Sequence, residues 1–204
     1  IALVEDDTYS DLVETEVPLR AVKSWDRTGN VIYCASLHKV LAPGLRLGWI
    51  TAGRWHAQVE MLKYAQTRNN EALAQIAAGE FIASGAYDRH LRRLRERLHV
   101  QRDQTADAIA KYFPPGTRLN LPRGGLQLWV ELPEQRSSVE VFEAALREHM
   151  LVSPGAQFSN SGRFDHYLRI NCGWPYSPAV DAGLKRLGEL AVRCRAREAP
   201  RPKA

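Results

Sequence analysis

Cysteine is scarce in this chain of 204 residues: Cys34, Cys172 and Cys194 stand far apart, in no CxxC or Cys/His cluster. A disulfide framework and a structural zinc site are therefore not expected, and no metal is assigned. A reducing, cytoplasmic setting fits that cysteine usage. Long apolar runs are also missing. None approaches the roughly 20 residues needed to span a bilayer. No charged-then-apolar leader ending in small residues is visible, so neither a membrane partner nor a secretory route is expected. Internal repeats and long low-complexity segments are absent too. What remains, 45% hydrophobic and 25% charged, is ordinary globular composition and excludes disorder over the whole length.

The chain opens on Ile1-Ala2-Leu3-Val4, an apolar run that reads as a buried strand. Beginning inside a strand, it is expected to be the C-terminal part of something longer. The net charge is +5, and the excess is local. Arg89, Arg92, Arg93, Arg95, Arg97 and Arg102 crowd one stretch, and Arg193, Arg195, Arg197, Arg201 and Lys203 crowd the tail. Neither stretch carries a helix-turn-helix, zinc-finger or RNA-binding signature, so both read as solvated surface.

Periodicity predicts the elements. Strands are expected at 1–5, 31–35 and 45–50, forming a mostly buried sheet. Helices are expected at 54–68, on a stripe of Trp55, Val59, Leu62 and Ala65, and at 71–84, on Leu73, Ile76, Ala77 and Phe81. A long helix follows over 86–112, where Leu91, Leu94, Leu98, Thr105, Ile109 and Tyr112 recur at three- and four-residue steps until Pro114-Pro115-Gly116 stops it. Beyond it come strands at 118–121, 126–132, 151–153 and 167–171. Helices are expected at 138–149, with Ser138 as N-cap, and at 178–194.

Chemistry centres on Lys39, within Ser36-Leu37-His38-Lys39-Val40-Leu41-Ala42-Pro43-Gly44-Leu45-Arg46. A lysine amine forms a Schiff base with an aldehyde once it is partly deprotonated, which burial and neighbouring cations promote. Arg46 suits bidentate phosphate binding, and Ser36 supplies a hydroxyl. Together they match a phosphorylated aldehyde. Asp6-Asp7-Thr8-Tyr9, just past a strand, lies where open α/β sheets place ligands. A carboxylate there can keep a pyridine nitrogen protonated. Read alone, the segment is better taken as an acidic turn after a strand.

The succession Glu5-Asp6-Asp7-Thr8-Tyr9, then Ser36 to Arg46, then Gly48-Trp49, resembles the class I/II aminotransferase family of pyridoxal 5'-phosphate enzymes, fold type I. Within it the chain most resembles the aminotransferase-like domain of MocR-type GntR-family transcriptional regulators. Tyr87-Asp88-Arg89-His90-Leu91-Arg92-Arg93-Leu94-Arg95, Gly124 to Leu132 and Val152 to Phe158 extend the likeness, which reaches about residue 192. The lysine motif is specific and the others are supportive.

The resemblance implies an α/β fold comprising the C-terminal part of fold type I. Its parts would be a partial cofactor-binding large domain at 1–85, a linking helix at 86–112, a small α+β domain at 113–195 and a flexible tail at 196–204. Lys39 would carry pyridoxal 5'-phosphate as a Schiff base and transfer protons. Asp6 would pair with the pyridine nitrogen and Tyr9 with the ring oxygen. Ser36 and Arg46 would hold the phosphate. His38 stands where the family usually has a second serine, which changes the phosphate site slightly and gives Lys39 a titratable neighbour, although a structural histidine with its bonds satisfied explains it at least as well. Arg169 would clamp the α-carboxylate of an amino acid, although a sheet-edge charge explains it equally well. The phosphate-loop glycines, the ring-stacking aromatic and the asparagine partner of the ring oxygen are not found here, nor is the winged helix-turn-helix through which such a regulator would meet DNA. The implied function is a homodimeric regulator's amino-acid-sensing or -converting domain. The alternative is a free-standing aminotransferase acting on an amino acid and a 2-oxo acid.

Overall fold

The computed structural model describes residues 1–15, 17, 19–133 and 136–194. The expected tail at 196–204 lies outside them. The chain divides into two compact units, Ile1–Glu96 with Arg123–Gly125, and Arg97–Pro122 with Leu126–Ala204.

The first unit is built on a three-stranded sheet in the order β1 (Leu3–Asp6), β2 (Val31–Ser36), β3 (Gly48–Thr51). β1 and β2 run parallel, with Asp6 opposite Cys34, so their carboxyl ends share one edge of the sheet. β3 returns antiparallel, with Ser36 opposite Gly48. Gly48 has to be glycine: a Cβ there would stand 2.4 Å from the Ala35 carbonyl oxygen. β3 starts later than the alternation of Leu45-Arg46-Leu47 suggests, because Pro43–Leu45 forms a 3-10 turn and Arg46 is left-handed at φ 52. The expectation of a buried sheet is wrong. Leu3 and Val4 are 51% and 63% exposed, and among the strand residues only Val31 is buried. Strand periodicity reports pleating, whereas burial requires a second layer on that face, and the described elements of this unit supply none.

Helices α1 (His56–Thr67) and α2 (Ala72–Ala83) form where predicted, α2 capped by the Glu71 carboxylate, which accepts from Leu73 N and Ala74 N at 3.2 and 2.8 Å. Their predicted stripes are not buried. No residue of α1 is, and in α2 only Ala78 is. α3 spans Ala86–Tyr112, as predicted. Leu91, Leu98, Thr105 and Ile109 of its stripe are buried.

The second unit packs the C-terminal part of α3, α4 (Ser138–Arg147) and α5 (Pro178–Arg193) with an antiparallel sheet ordered β4 (Arg118–Asn120), β5 (Gln127–Glu131), β7 (Tyr167–Asn171), β6 (Ser153–Pro154). Alternation sends Leu128 and Val130 of β5, with Leu168 and Ile170 of β7, into a core shared with Ile109, Val141 and Leu187. α4 is capped by Ser137, not by Ser138: the Ser137 hydroxyl accepts from Glu140 N at 3.3 Å, while Ser138 is the first helical residue and fully buried. The cap goes to whichever serine has extended backbone, and Ser137 has it, at φ −90 and ψ 117.

Candidate cofactor site

The carboxyl ends of β1 and β2 each run into a turn that carries predicted residues. After β1, Asp6 Oδ1 accepts from the Thr8 amide at 3.1 Å and from the Thr8 hydroxyl, an Asx turn that fixes the carboxylate. Asp7 N–H donates to Cys34 C=O at 2.8 Å, and Asp7 Oδ2 accepts from Tyr33 Oη at 2.7 Å. Burial and that carboxylate push the Tyr33 phenol well above its usual range, so it stays a donor. Burial, with the Asp6 carboxylate beside it, likewise raises the Cys34 thiol. Asp6 and Tyr9 are exposed, and the Tyr9 phenol bonds to no described residue.

After β2, the segment 37–47 closes on itself. Leu37 N–H donates to Leu47 C=O at 2.9 Å, Leu41 N–H to Leu37 C=O at 2.9 Å, and Leu37, Val40 and Leu47 are buried. The apolar residues hold the loop down and leave Lys39 and Arg46 exposed. The Ser36 hydroxyl accepts from His38 N–H at 3.2 Å and reaches Leu47 C=O at 3.4 Å. His38 Nδ1 lies 2.7 Å from Pro43 C=O. A carbonyl only accepts, so that nitrogen carries the proton. Arg46 Nη1 lies 3.4 Å from the same nitrogen, which then has no lone pair to offer it. The Arg46 guanidinium therefore has no acceptor among the described residues, and Lys39 makes neither a hydrogen bond nor an ion pair with any of them. Two cations on one short loop, without a protein anion, suit an anionic ligand. A phosphate fits them, with Ser36 beside it, and an aldehyde fits the lysine.

A cleft of about 460 Å³ in this unit is lined by Leu37, Trp49, Lys63, Asn70, Gln75 and Ile82 among others. None of Asp6, Tyr9, Ser36, His38, Lys39 and Arg46 lines it. Volume and chemistry disagree here. The unpaired cations at the strand ends are the better marker, because the side-chain amides of Asn70 and Gln75 already bond to backbone carbonyls.

In the second unit Arg169 sits on β7, an inner strand, opposite both Trp129 and Ser153, so it is no sheet-edge charge. Its guanidinium lies 4.7 Å from the centre of the Phe158 ring and donates from Nη2 to Ser153 Oγ at 3.3 Å. Its Nε is buried without a hydrogen-bond partner among the described residues. Trp129 stacks on Tyr167 at 5.3 Å and meets Phe158 and Phe164 edge-on at 5.4 Å. An always-charged fork with an unsatisfied nitrogen in an aromatic wall suits a carboxylate.

Several residues around these turns escaped sequence reasoning. Asp11, Tyr87, His90 and Arg95 bind the turns after β1 and β2 to α3, and Phe158 and Ser153 flank Arg169. The first group left one trace: polar residues interrupt the apolar stripe of α3 at positions 87, 90 and 95.

Parallel strands ending in acidic and lysine-bearing turns, with a small antiparallel α+β unit beyond a long helix, make up the C-terminal portion of fold type I, the fold of the aminotransferases this chain superposes on. The chain belongs to the class I and II aminotransferase family, whose profile matches residues 1–179. It is 40% identical over 194 residues to the HTH-type transcriptional regulator YjiR of Escherichia coli, and 35% identical over 191 residues to YdcR, another HTH-type regulator of that organism. The matches cover 95% and 93% of this chain and 41% of each regulator, so the chain spans less than half the length of these relatives. Among solved structures, the α-aminoadipate aminotransferase LysN of Thermus thermophilus, complexed with N-(5'-phosphopyridoxyl)-L-leucine, superposes with a TM-score of 0.84 at 28% identity, covering 95% of this chain and 50% of that one. The multiple substrate aminotransferase of Thermococcus profundus gives 0.83 at 28% identity, over 94% and 48%. No helix among the described residues is long and apolar enough to cross a membrane.

Proposed function

We propose that this chain is the C-terminal part of the aminotransferase-like effector domain of a transcriptional regulator, one that holds pyridoxal 5'-phosphate at Lys39 and senses or converts an amino acid. The observation that carries the cofactor reading is the pair of exposed cations, Lys39 and Arg46, without a protein counter-ion on the loop after β2. The regulator reading is supported by the 40% and 35% identity to HTH-type regulators. DNA contact belongs to a winged helix outside this chain, and the whole protein works as a cytoplasmic homodimer.

Bound pyridoxal phosphate supplies an aldehyde and an electron-withdrawing ring. Arg46 and Ser36 hold the phosphate, Arg46 by its fork and Ser36 by its hydroxyl. His38, its Nδ1–H committed to Pro43, stiffens the loop and faces the anion only through Nε2. Asp6, fixed by Thr8, presents a carboxylate that keeps a ring nitrogen protonated. Tyr9 Oη donates to a ring oxygen. Lys39 Nζ is the covalent attachment point and the atom that takes up and returns a proton. Arg169 receives the α-carboxylate of the amino acid, with Phe158 behind the guanidinium.

Replacing Lys39 by Ala in the full-length protein tests the assignment. Because Lys39 is exposed and unbonded, the fold should persist while the visible absorbance of lysine-linked cofactor, and its loss on borohydride reduction, disappear. An unchanged spectrum would sink the reading. A free-standing aminotransferase is the second reading, favoured by the 29% identity over 188 residues to an aromatic-amino-acid aminotransferase of Thermococcus litoralis. Sequence-specific DNA binding by the whole protein separates the two.

A further inference from the structure

The stretch Tyr87 to Arg95 divides into two faces of α3. Arg89, Arg92, Arg93 and Glu96 are exposed, whereas Leu91 and Leu98 are 5% and 4% exposed and define the inner face. At 100° per residue, Tyr87, His90 and Arg95 fall on that inner side with the leucines. There the three polar groups meet the two turns that follow β1 and β2. Tyr87 Oη donates to Asp11 Oδ2 at 2.7 Å, and Arg95 Nε donates to Asp11 C=O at 2.7 Å. His90 Nε2 lies 2.7 Å from Val40 C=O and, facing a carbonyl, is the donor. Val40 follows Lys39 directly, and Asp11 lies two residues beyond Tyr9. The far side of the first turn is closed as well: Leu12 is 1% exposed, and its carbonyl accepts from Gly125 N–H at 3.3 Å.

We propose that Tyr87, His90 and Arg95 are positioning residues, a rigid helical ruler that sets the spacing between the Asp6–Tyr9 turn and the Lys39 turn. None of the three is among the residues assigned to hold the cofactor; they act through Asp11 and Val40. An α-helix fixes the distance from residue 87 to residue 95 far more stiffly than two surface turns could fix it themselves. The motif therefore belongs to the site, and only its exposed arginines belong to the surface. Burial and the Asp11 carboxylate push the Tyr87 phenol well above its usual range, so this donor holds throughout the working pH range.

This inference rests on the cofactor assignment, and the experiment separates their failures. In the full-length protein His90→Phe removes the donor to Val40, Tyr87→Phe removes the donor to Asp11, and His90→Gln retains an N–H at the reach of Nε2. Three quantities are compared with parent: cofactor affinity, the pH midpoint of the lysine-linked absorbance band, and hydrogen exchange of residues 37–47 in cofactor-free protein. Loss of one part-buried hydrogen bond, to the Val40 carbonyl or to the Asp11 carboxylate, should weaken cofactor binding about tenfold. His90→Phe should also shift the pH midpoint and speed exchange in the 37–47 loop, and His90→Gln should restore both. Tyr87→Phe, which cuts no tie to the lysine turn, should weaken binding while leaving exchange at 37–47 as in parent. Phenylalanine variants within twofold of parent in affinity and unshifted in midpoint overturn the ruler while leaving the cofactor assignment standing. If parent itself shows no lysine-linked band, the cofactor assignment fails, and exchange at 37–47 decides the ruler alone: unchanged exchange in His90→Phe overturns it.

Discussion

At the scale of single residues, partners decide what a side chain can do. Arg169 and Arg46 carry the same charge, but Arg46 is exposed without an acceptor among the described residues, whereas Arg169 is half-buried, backed by Phe158 and held at one end by Ser153. Arg169→Ala in the full-length protein should weaken amino-acid binding by about 2–4 kcal/mol with cofactor retention nearly intact. Arg169→Lys should fall between, because an ammonium cannot reproduce the fork. Calorimetric titration with amino acids against the corresponding amines checks this; a parent that binds both equally would remove the carboxylate clamp. Asp181 offers a pH-dependent test. Its carboxylate accepts from Tyr112 Oη at 2.9 Å and Tyr176 Oη at 2.5 Å, and these bonds, Tyr176 first, hold its pKa below the ordinary 3.8. A lowered native pKa contributes stability that is complete above the unfolded value of about 3.9 and is lost as pH falls through the native one. Asp181→Asn should thus be less stable than parent at neutral pH, with the gap closing below about pH 4. Urea melts across that range measure it, and a gap independent of pH would contradict the linkage.

At the scale of elements, glycines mark where backbones meet. α5 carries Gly188 over the end of α3, where a Cβ would stand 2.3 Å from the Tyr112 carbonyl oxygen. Backbone cannot swing aside as a flexible side chain can. Gly188→Ala should therefore destabilise the second unit by about 1–3 kcal/mol, against the small gain that alanine brings to an open helix. Thermal melts of parent and variant decide it, and a stabilised variant would show that α5 can shift. Helix boundaries carry local signals: Pro114-Pro115-Gly116 follows α3, and in the structure the Ser177 hydroxyl caps α5 with Pro178 in its first turn. At α4 the structure differs: the cap is Ser137 rather than Ser138, since two adjacent serines give composition no means of choosing, and the helix ends at Arg147, two residues before the expected 149.

At the scale of the molecule, the first unit leaves much apolar surface uncovered. Leu73 and Ile76 of α2 are 72% and 60% exposed, and α2 is apolar on nearly all sides, the pattern of a helix meant to be enclosed. Expressed alone, these 204 residues should bind an apolar dye strongly, self-associate and take up pyridoxal phosphate far more weakly than the full-length protein. Equal cofactor affinity in the two would contradict this. Dye binding and light scattering test the surface, and absorbance titration tests the cofactor.

The sequence by itself determined the element order and the lysine-centred motif, because each depends on local spacing: periods of 2 and 3.6, turn residues, and Ser36, Lys39 and Arg46 on one short loop; the class of fold and the family came from the resemblance that motif carries. Only the tertiary structure decided which stripes are buried. An apolar stripe announces that a face needs cover without saying which element supplies it, and Leu3, Leu73 and Ile76 stay exposed while Leu91 and Leu98 do not. It also decided the partners of polar groups. The bond from His90 to Val40 joins residues 50 apart and that from Tyr87 to Asp11 residues 76 apart, separations that no local pattern encodes. Contacts of that range form only when the chain folds back on itself, which is why the lysine could be found by reading along the chain and the helix that holds its turn could not.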